Sequence, residues 1–434
     1  MKQLALLFLC LLSTSVLAQL RSGPMLGYVE MREAAIWIQA EKSAVINLEY
    51  RAKGAAKWKN VGSTVTKADQ AHIARFIIGN LEPGQAYEYR FYLNAKLYGK
   101  ENPYRFNTQK LWQWREDPPN FKIAMGSCAY VSEQAFDRPG EPYGGDYHIF
   151  GHIAQQQPDM MLWLGDNVYL READWNSYSG MLHRYNHSRQ LPELQPLLEA
   201  CPNYAIWDDH DFGPNDANGS WVHKQRSLEL FKLFWANNSY GMPEFDGISS
   251  SFSFNDVDFF MLDNRFHRSS EKLADSCERQ MLGDAQINWL INALKSSLAS
   301  FKIVAVGSQV LNTEALYENY AQFPCEREKL LNAIAREGIK NVIFATGDRH
   351  HSELSRFEKE GIVMYDITAS PLTSKAGHSR DNEHNKNRVE GSLIVQRNFT
   401  TLEISGPRKQ RELLVRNFDS HGQELYSTRI AQQH

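Results

Sequence analysis

The chain has 434 residues, yet it holds only five cysteines, no excess of basic residues, and no long apolar run beyond its N-terminus. Each scarcity excludes a class of protein. Lysine and arginine number 47 against 51 acids, a net charge of −4 with the two signs interspersed, so no basic stripe is offered to a nucleic acid. No transmembrane anchor is expected either, because the apolar run Leu4–Leu12 is well short of the ~20 residues that a spanning helix needs. Lys2 ahead of that run and Val16-Leu17-Ala18 behind it make the pattern of a secretory signal peptide, residues 1–18, cleaved after Ala18. Cys10 lies inside the run and not at its end, which argues against a lipid anchor. The expectation is an exported protein, secreted or periplasmic. Export permits disulfides, and Cys277 and Cys325, both in polar and charged surroundings, are the candidate pair among the remaining cysteines.

Internal repeats and long low-complexity segments are also lacking, so the chain reads as ordinary globular domains. Residues 22–108 carry short β-like runs, Ala35–Gln39, Ala44–Tyr50, His72–Ile78 and Tyr87–Leu93, separated by turn residues such as Pro83-Gly84. That spacing indicates a small β-sandwich of immunoglobulin or fibronectin size, with no cluster of acids or histidines to give it chemistry. Residues 109–120, with their Pro-Pro stop, read as a linker. From Phe121 to the end, residues 121–434, apolar strands alternate with longer amphipathic stretches, the signature of an α/β domain. The later runs Ile362–Thr368, Ser392–Arg397, Phe399–Ile404 and Glu412–Asn417 are β-like, and the polar stretch Lys375–Arg388 reads as a mobile loop.

Three apolar runs end in polar, metal-capable residues: MLWLGDNVY at Met161–Tyr169, YAIWDDHD at Tyr204–Asp211, and VIFATGDRHH at Val342–His351. Strand tips are where α/β proteins place their chemistry. Asp166, with two oxygens at such a tip, is the natural bridging carboxylate for two ions. Cys128 and Tyr169 favour a transition metal on one side, and Asp209, Asp348 and His350 can complete the pair. Two ions roughly 3.5–4 Å apart orient a phosphoryl group, lower the pKa of a water and stabilise a leaving oxygen. His210 and His351 are then placed to donate to phosphoryl oxygens or to protonate the leaving group. Singly, each residue has a plainer reading: Cys128 a buried thiol, Tyr169 a core aromatic, Asp208, Asp209 and Asp211 helix caps, His350 and His351 surface groups. The three clusters taken together favour one edge of one sheet.

The order GSC (Gly126–Cys128), GDNVY (Gly165–Tyr169), WDDHDFGPND (Trp207–Asp216) and GDRHHSEL (Gly347–Leu354) resembles the PhoD-type alkaline phosphatases of the calcineurin-like metallophosphatase superfamily. The resemblance covers nearly the whole mature chain, the β-sandwich included. It implies a four-layer αββα catalytic domain, an iron ion (Fe3+) used together with calcium (Ca2+), and cleavage of phosphodiesters and phosphomonoesters outside the cytoplasm. By motif it makes Asp166 the bridge, Cys128 and Tyr169 iron ligands, and Asp209 the occupant of a place where related enzymes carry a ligand Asn. It sets His210 facing the phosphoryl group, adds Asp348 and His350 from GDRH, and makes Asn215 a substrate contact. Arg265, in LDNRF, follows a strand and either holds a phosphate or supports the core. The chain is compact beside larger members and shows no C-terminal helix to plug the site.

Two functions follow. One is an exported two-metal phosphoesterase that uses a metal-bound hydroxide and no phosphoenzyme, since no Ser, Thr or His sits in a nucleophile motif. Its substrate would be a small-molecule or lipid phosphate ester. The other is a non-catalytic exported binding protein whose metals are structural.

Overall fold

A computed structural model describes residues 19–243, 245–377 and 383–434 of the protein; the expected signal peptide, Met1–Ala18, lies outside the described residues. The N-terminal part is built from β1 (Leu20–Val29), β2 (Ala34–Ala40), β3 (Val45–Ala52), β4 (Lys59–Val65), β5 (Ile73–Ile78), β6 (Ala86–Leu93), β7 (Lys96–Tyr98) and β8 (Tyr104–Asn107). They form two sheets, β1-β2-β5 and β4-β3-β6-β7, with β8 paired to β6. Ile36, Ile38, Leu48, Phe76 and Phe91, drawn from both sheets, share one apolar cluster.

All seven residues of β2 are buried, because the strand is covered on both sides. Alternation sends Ile36 and Ile38 into the sandwich and turns Ala35 and Trp37 toward the larger core of the α/β part. Trp37 donates its indole N–H to the Leu233 carbonyl at 2.9 Å, and its ring lies 6.2 Å from that of Phe234.

The remaining elements are β9 (Phe121–Gly126), α1 (Ile149–Gln155), β10 (Met160–Leu164), α2 (Tyr178–Arg189), α3 (Gln195–Ala200), β11 (Asn203–Ile206), α4 (Asp209–Phe212) and α5 (Lys224–Phe234). Then come β12 (Ser250–Phe254), β13 (Val257–Met261), α6 (Asp284–Ser296), β14 (Phe301–Val306), α7 (Pro324–Arg336), β15 (Val342–Thr346), β16 (Glu353–Lys359) and β17 (Ile362–Thr368). The chain closes its first sheet with β18 (Asn398–Ser405), β19 (Glu412–Asp419) and β20 (Glu424–Ala431). Two six-stranded sheets result, ordered β11-β10-β9-β18-β19-β20 and β12-β13-β14-β15-β17-β16.

Their inner faces meet: Tyr204 of β11 stacks on Phe252 of β12 at 3.9 Å, and Phe121 of β9 lies 5.2 Å from Phe254. Outside the first sheet, Trp163 of β10 packs on Phe150 of α1. Outside the second, Val304 and Phe344 pack with Leu290 of α6 and Leu330 and Ile334 of α7. Helix, sheet, sheet, helix is the four-layer αββα order expected from the sequence. β9, β10 and β11 run parallel, as do β13, β14, β15 and β17, so each sheet presents several strand C-termini at one rim.

Two expectations need correction. Ser392–Arg397 is no strand: it contributes an isolated bridge from Ile394 to Ser352, and the Ser392 hydroxyl turns back to donate to the Val389 carbonyl. In the expected mobile loop Lys375–Arg388, residues 378–382 lie outside the described residues, but the stretch from Glu383 is anchored. Glu383 and Asn385 are buried, bonded to Arg349 and to Glu353. Cys277 and Cys325 form a disulfide that ties the loop before α6 to the first turn of α7, with Cα atoms 5.0 Å apart.

Trp37→Ala should therefore loosen the seam between sandwich and α/β part at a cost of about 3–5 kcal/mol, the usual range for a buried tryptophan. Urea denaturation measures it. A loss confined to the sandwich, with the α/β part's transition unmoved, would contradict a shared core.

Candidate active site

The parallel strands of both sheets, not of one sheet as expected, deliver their C-terminal ends to one rim, and the motif residues follow directly: Cys128 after β9, Asp166 after β10 and Asp208 to His210 after β11 of the first sheet, Arg265 after β13 and Asp348 to His351 after β15 of the second. The backbone there is strained. Cys128, Asp166, Asp348 and His350 have φ of 59°, 53°, 65° and 54°, a left-handed region that non-glycine residues enter at some cost, roughly 1–3 kcal/mol each. Two glycines let the tips converge. A Cβ on Gly347 would lie 2.7 Å from the Leu164 carbonyl oxygen, and one on Gly307 would lie 2.5 Å from the Asp208 carboxyl carbon.

Asp166 stands in the middle. Its Oδ2 accepts from the Tyr169 hydroxyl at 3.0 Å and lies 3.6 Å from the Cys128 sulfur. Its Oδ1 accepts from the His210 backbone N–H at 3.3 Å. Tyr169 also reaches His350 Nε2 at 3.4 Å, and Tyr143 reaches Nδ1 of the same ring at 3.1 Å. Metal-capable atoms of Cys128, Asp166 and His350 lie within 4.8 Å of one another, as do those of Asp166, Asp209 and His210, and those of Asp208, Asp209 and Asp348. Asp166 belongs to two of these groups and Asp209 to two, so the groups are contiguous.

The electrostatics call for added positive charge. Burial, and then Asp209, Asp208 and Asp348, push the Asp166 carboxyl well above the usual carboxylate range. Burial with Asp208 and Glu318 does the same to Asp348, and burial with Asp166 and Asp348 raises the Cys128 thiol. Asp208 Oδ2, Asp209 Oδ1 and His210 Nδ1 are buried with no hydrogen-bond partner. Unpaired buried acceptors of this kind are costly, and a cation among them would satisfy them. The donor chemistry fits two unlike ions: a thiolate, a phenolate and an imidazole suit a transition metal, and carboxylate oxygens suit a harder cation.

A cavity of about 590 Å³ opens onto this cluster, walled by Tyr143, Asp209, His210, Asn215, Asp348 and His350 among others. Burial and Arg171 hold the His210 imidazole down to about 3, so it is neutral at working pH. Its ring packs on Tyr169 with centroids 4.2 Å apart. A second cavity, sharing Tyr143, His210 and Asn215, is lined by Arg138, Arg171 and Lys375.

Two residues singled out from sequence stand elsewhere. Arg265 is fully buried behind the cavity: it bonds Asp208, grips Glu318 with two N–H groups at 2.7 and 2.9 Å, and lies 3.6 Å from Asp209. Its guanidinium supports the carboxylates of Asp209 and Glu318, which wall the cavity, and does not itself line it. His351 is also fully buried, with Nδ1 3.0 Å from the Arg349 carbonyl oxygen and Nε2 3.8 Å from Glu353. It turns away from the cluster that its neighbour His350 enters.

Sequence reasoning missed Glu318, Arg268, Tyr143 and Asp216. Burial opposes ionisation of Glu318, but Arg265 and Arg268 more than offset this and hold it down to about 2. Glu318 and Arg268 lie in no motif, and only Asp216 was within reach, at the end of WDDHDFGPND. Asp208, read as a helix cap, does cap α4 in a capping box with Asp211, and it also accepts from Arg265 and Asn264.

Arg265→Met should destabilise the protein by about 3–5 kcal/mol, because it strands Asp208 and Glu318 as buried, under-compensated charges. Denaturant titration checks it. A loss below about 1 kcal/mol, the scale of a surface pair, would contradict the assigned role.

The comparisons with known proteins agree with this geometry. The family model described as PhoD-like phosphatase matches residues 123–406, and the one described as Domain of unknown function (DUF7800) matches residues 17–111. Alkaline phosphatase D of Bacillus subtilis (strain 168) is 24% identical over 386 residues, 76% of this chain; the chain spans 62% of that relative's length. Among solved structures, one titled "Structure of PhoD" superposes with a TM-score of 0.75 at 18% identity, covering 94% of this chain and 92% of that one. Purple acid phosphatase PPD1 from yellow lupin seeds superposes with a TM-score of 0.67 at 13% identity, covering 95% of this chain and 74% of that one. These two likenesses concern the fold, and the family match spans most of the α/β part and its motifs: the chain belongs to the PhoD-like phosphatase family.

Proposed function

We propose that the protein is an exported, metal-dependent phosphoesterase that hydrolyses phosphodiesters and phosphomonoesters with an iron and a calcium ion. The observation that carries this reading is Asp166, whose carboxylate serves two adjoining donor groups, one with Cys128 and His350 and one with Asp209 and His210. Cys128, Tyr169 and His350 would hold the iron, Asp209 and Asp348 the calcium, and Asp166 would bridge them. Such a pair supplies a water of lowered pKa and neutralises charge on the phosphoryl oxygens.

The chain's own residues then do the following. His210, a neutral imidazole that lines the cavity, is suited to donate a hydrogen bond to a phosphoryl oxygen. Asn215, on the wall shared by both cavities, orients the ester. Tyr143 fixes the His350 ring from the side opposite Tyr169. Arg265 holds Asp208 and Asp209, and Glu318 fixes the Arg265 guanidinium, so both are positioning residues. His351 stands apart from this chemistry. Residues 22–108 serve as a docking unit that braces α5 and carries none of these residues. Export rests on the signal-like sequence; among the described residues no helix is long and apolar enough to cross a membrane.

Hydrolysis of p-nitrophenyl phosphate and bis-p-nitrophenyl phosphate tests this. Asp166→Asn should lower kcat/KM on both by at least ~10³-fold, about 4 kcal/mol of transition-state stabilisation. His210→Ala should lower kcat by about 10²-fold with a smaller change in KM. His351→Ala, if folded, should act mainly on stability. Undiminished turnover in Asp166→Asn would overturn the role given to Asp166, and no turnover by the metal-loaded wild type on either ester would overturn the proposal and leave a binding protein with structural metals.

A further inference from the structure

Three histidines, two of them one helical turn apart and the third distant in sequence, meet on the outside of the first sheet. His148 precedes α1 with helical backbone, and His152 lies one turn on, so the two stand on the same face. His421 comes from the turn between β19 and β20. A ring nitrogen of each lies within 4.8 Å of the others. The His148 and His421 rings are 4.7 Å apart at the centroids, His148 and His152 5.7 Å, and His152 and His421 6.4 Å. None of the three walls the active-site cavity.

Both supports of this cluster are rigid. The Asp419 carboxylate accepts from the backbone N–H of His421 at 2.9 Å and of Gln423 at 2.8 Å, fixing the turn. Gly422 brings that turn against the helix: a Cβ there would lie 3.4 Å from His152 Nδ1. His152 Nδ1 is 3.2 Å from the Gln155 side-chain oxygen. That oxygen can only accept, so the contact selects the tautomer with hydrogen on Nδ1 and a lone pair on Nε2. Orienting one ring nitrogen by a polar partner, so that the other is free to ligate, is how metal-binding histidines are held.

We propose that His148, His152 and His421 form a second metal site, for a divalent ion of the imidazole-preferring class such as Zn2+, which clips α1 to the β19–β20 turn. Three imidazoles with no carboxylate select zinc, nickel or copper over calcium and magnesium, so this site and an oxygen-rich site take different ions. Three protein ligands leave a fourth position for water.

Calorimetric titration of the purified protein with Zn2+ tests it. The wild type should bind one equivalent that survives in Asp166→Asn, and His152→Ala and His421→Ala should each weaken that event at least ~10-fold. Zn2+ should raise the melting temperature of the wild type and of Asp166→Asn, but not of His152→Ala/His421→Ala. All three histidines lie outside the cavity, so phosphatase turnover should be unchanged in those variants, which separates this proposal from the phosphoesterase reading. An unchanged isotherm in the double variant, or no Zn2+ event beyond those lost in Asp166→Asn, would overturn it.

Discussion

Everything at the rim depends on one electrostatic constraint: Asp166, Asp208, Asp209 and Asp348 are crowded into a buried space from which water is largely excluded. Carboxylates so placed raise one another's pKa and cannot all ionise without counter-charge. The chain answers on one side only. Arg265 compensates Asp208 and Asp209 and is shared with Glu318, which Arg268 also pairs. Around Asp166 and Cys128 the neighbours are instead a phenol, an imidazole and a serine hydroxyl. Bound cations would complete the charge balance there and at the Asp208 and Asp209 oxygens that have no hydrogen-bond partner.

The fold creates that crowding through its topology. Parallel strands in two facing sheets bring the loops after β9, β10, β11, β14 and β15 to one edge, where glycines at 307 and 347 permit close approach. Left-handed backbone at four of the motif residues turns their side chains inward at an energetic cost that packing elsewhere offsets. The two cores that supply this, one shared between the sheets and one beneath α6 and α7, are continuous and apolar. β2 extends the first of them into the N-terminal sandwich.

How much of this was legible in the sequence depended on local pattern. The buried strand Met160–Leu164 stood out because it is apolar on both faces, and so did the motifs at its tip and at the tips of β11 and β15. β1 escaped notice because Gly23, Pro24 and Gly27 interrupt it, and the structure accommodates them with register shifts. α2 escaped because its buried face is Met181, Arg184, Tyr185, Ser188 and Arg189, which leaves no apolar stripe to read. In the site, residues inside motifs were found, Asp216 excepted, whereas Glu318 and Tyr143 arrive from loops whose sequences carry no pattern. His351 and Arg265 show the opposite limit: a motif or a strand end identifies a residue but not the direction of its side chain. His350 turns into the cluster and His351 out of it, though they are adjacent.

The most direct test of the bridging role given to Asp166 is elemental analysis of the protein purified without added metal, beside the same preparation of Asp166→Asn. The account predicts about one iron and about one calcium per wild-type chain, and depletion of both in the variant. Full phosphatase activity in wild-type protein that contains neither ion would contradict it.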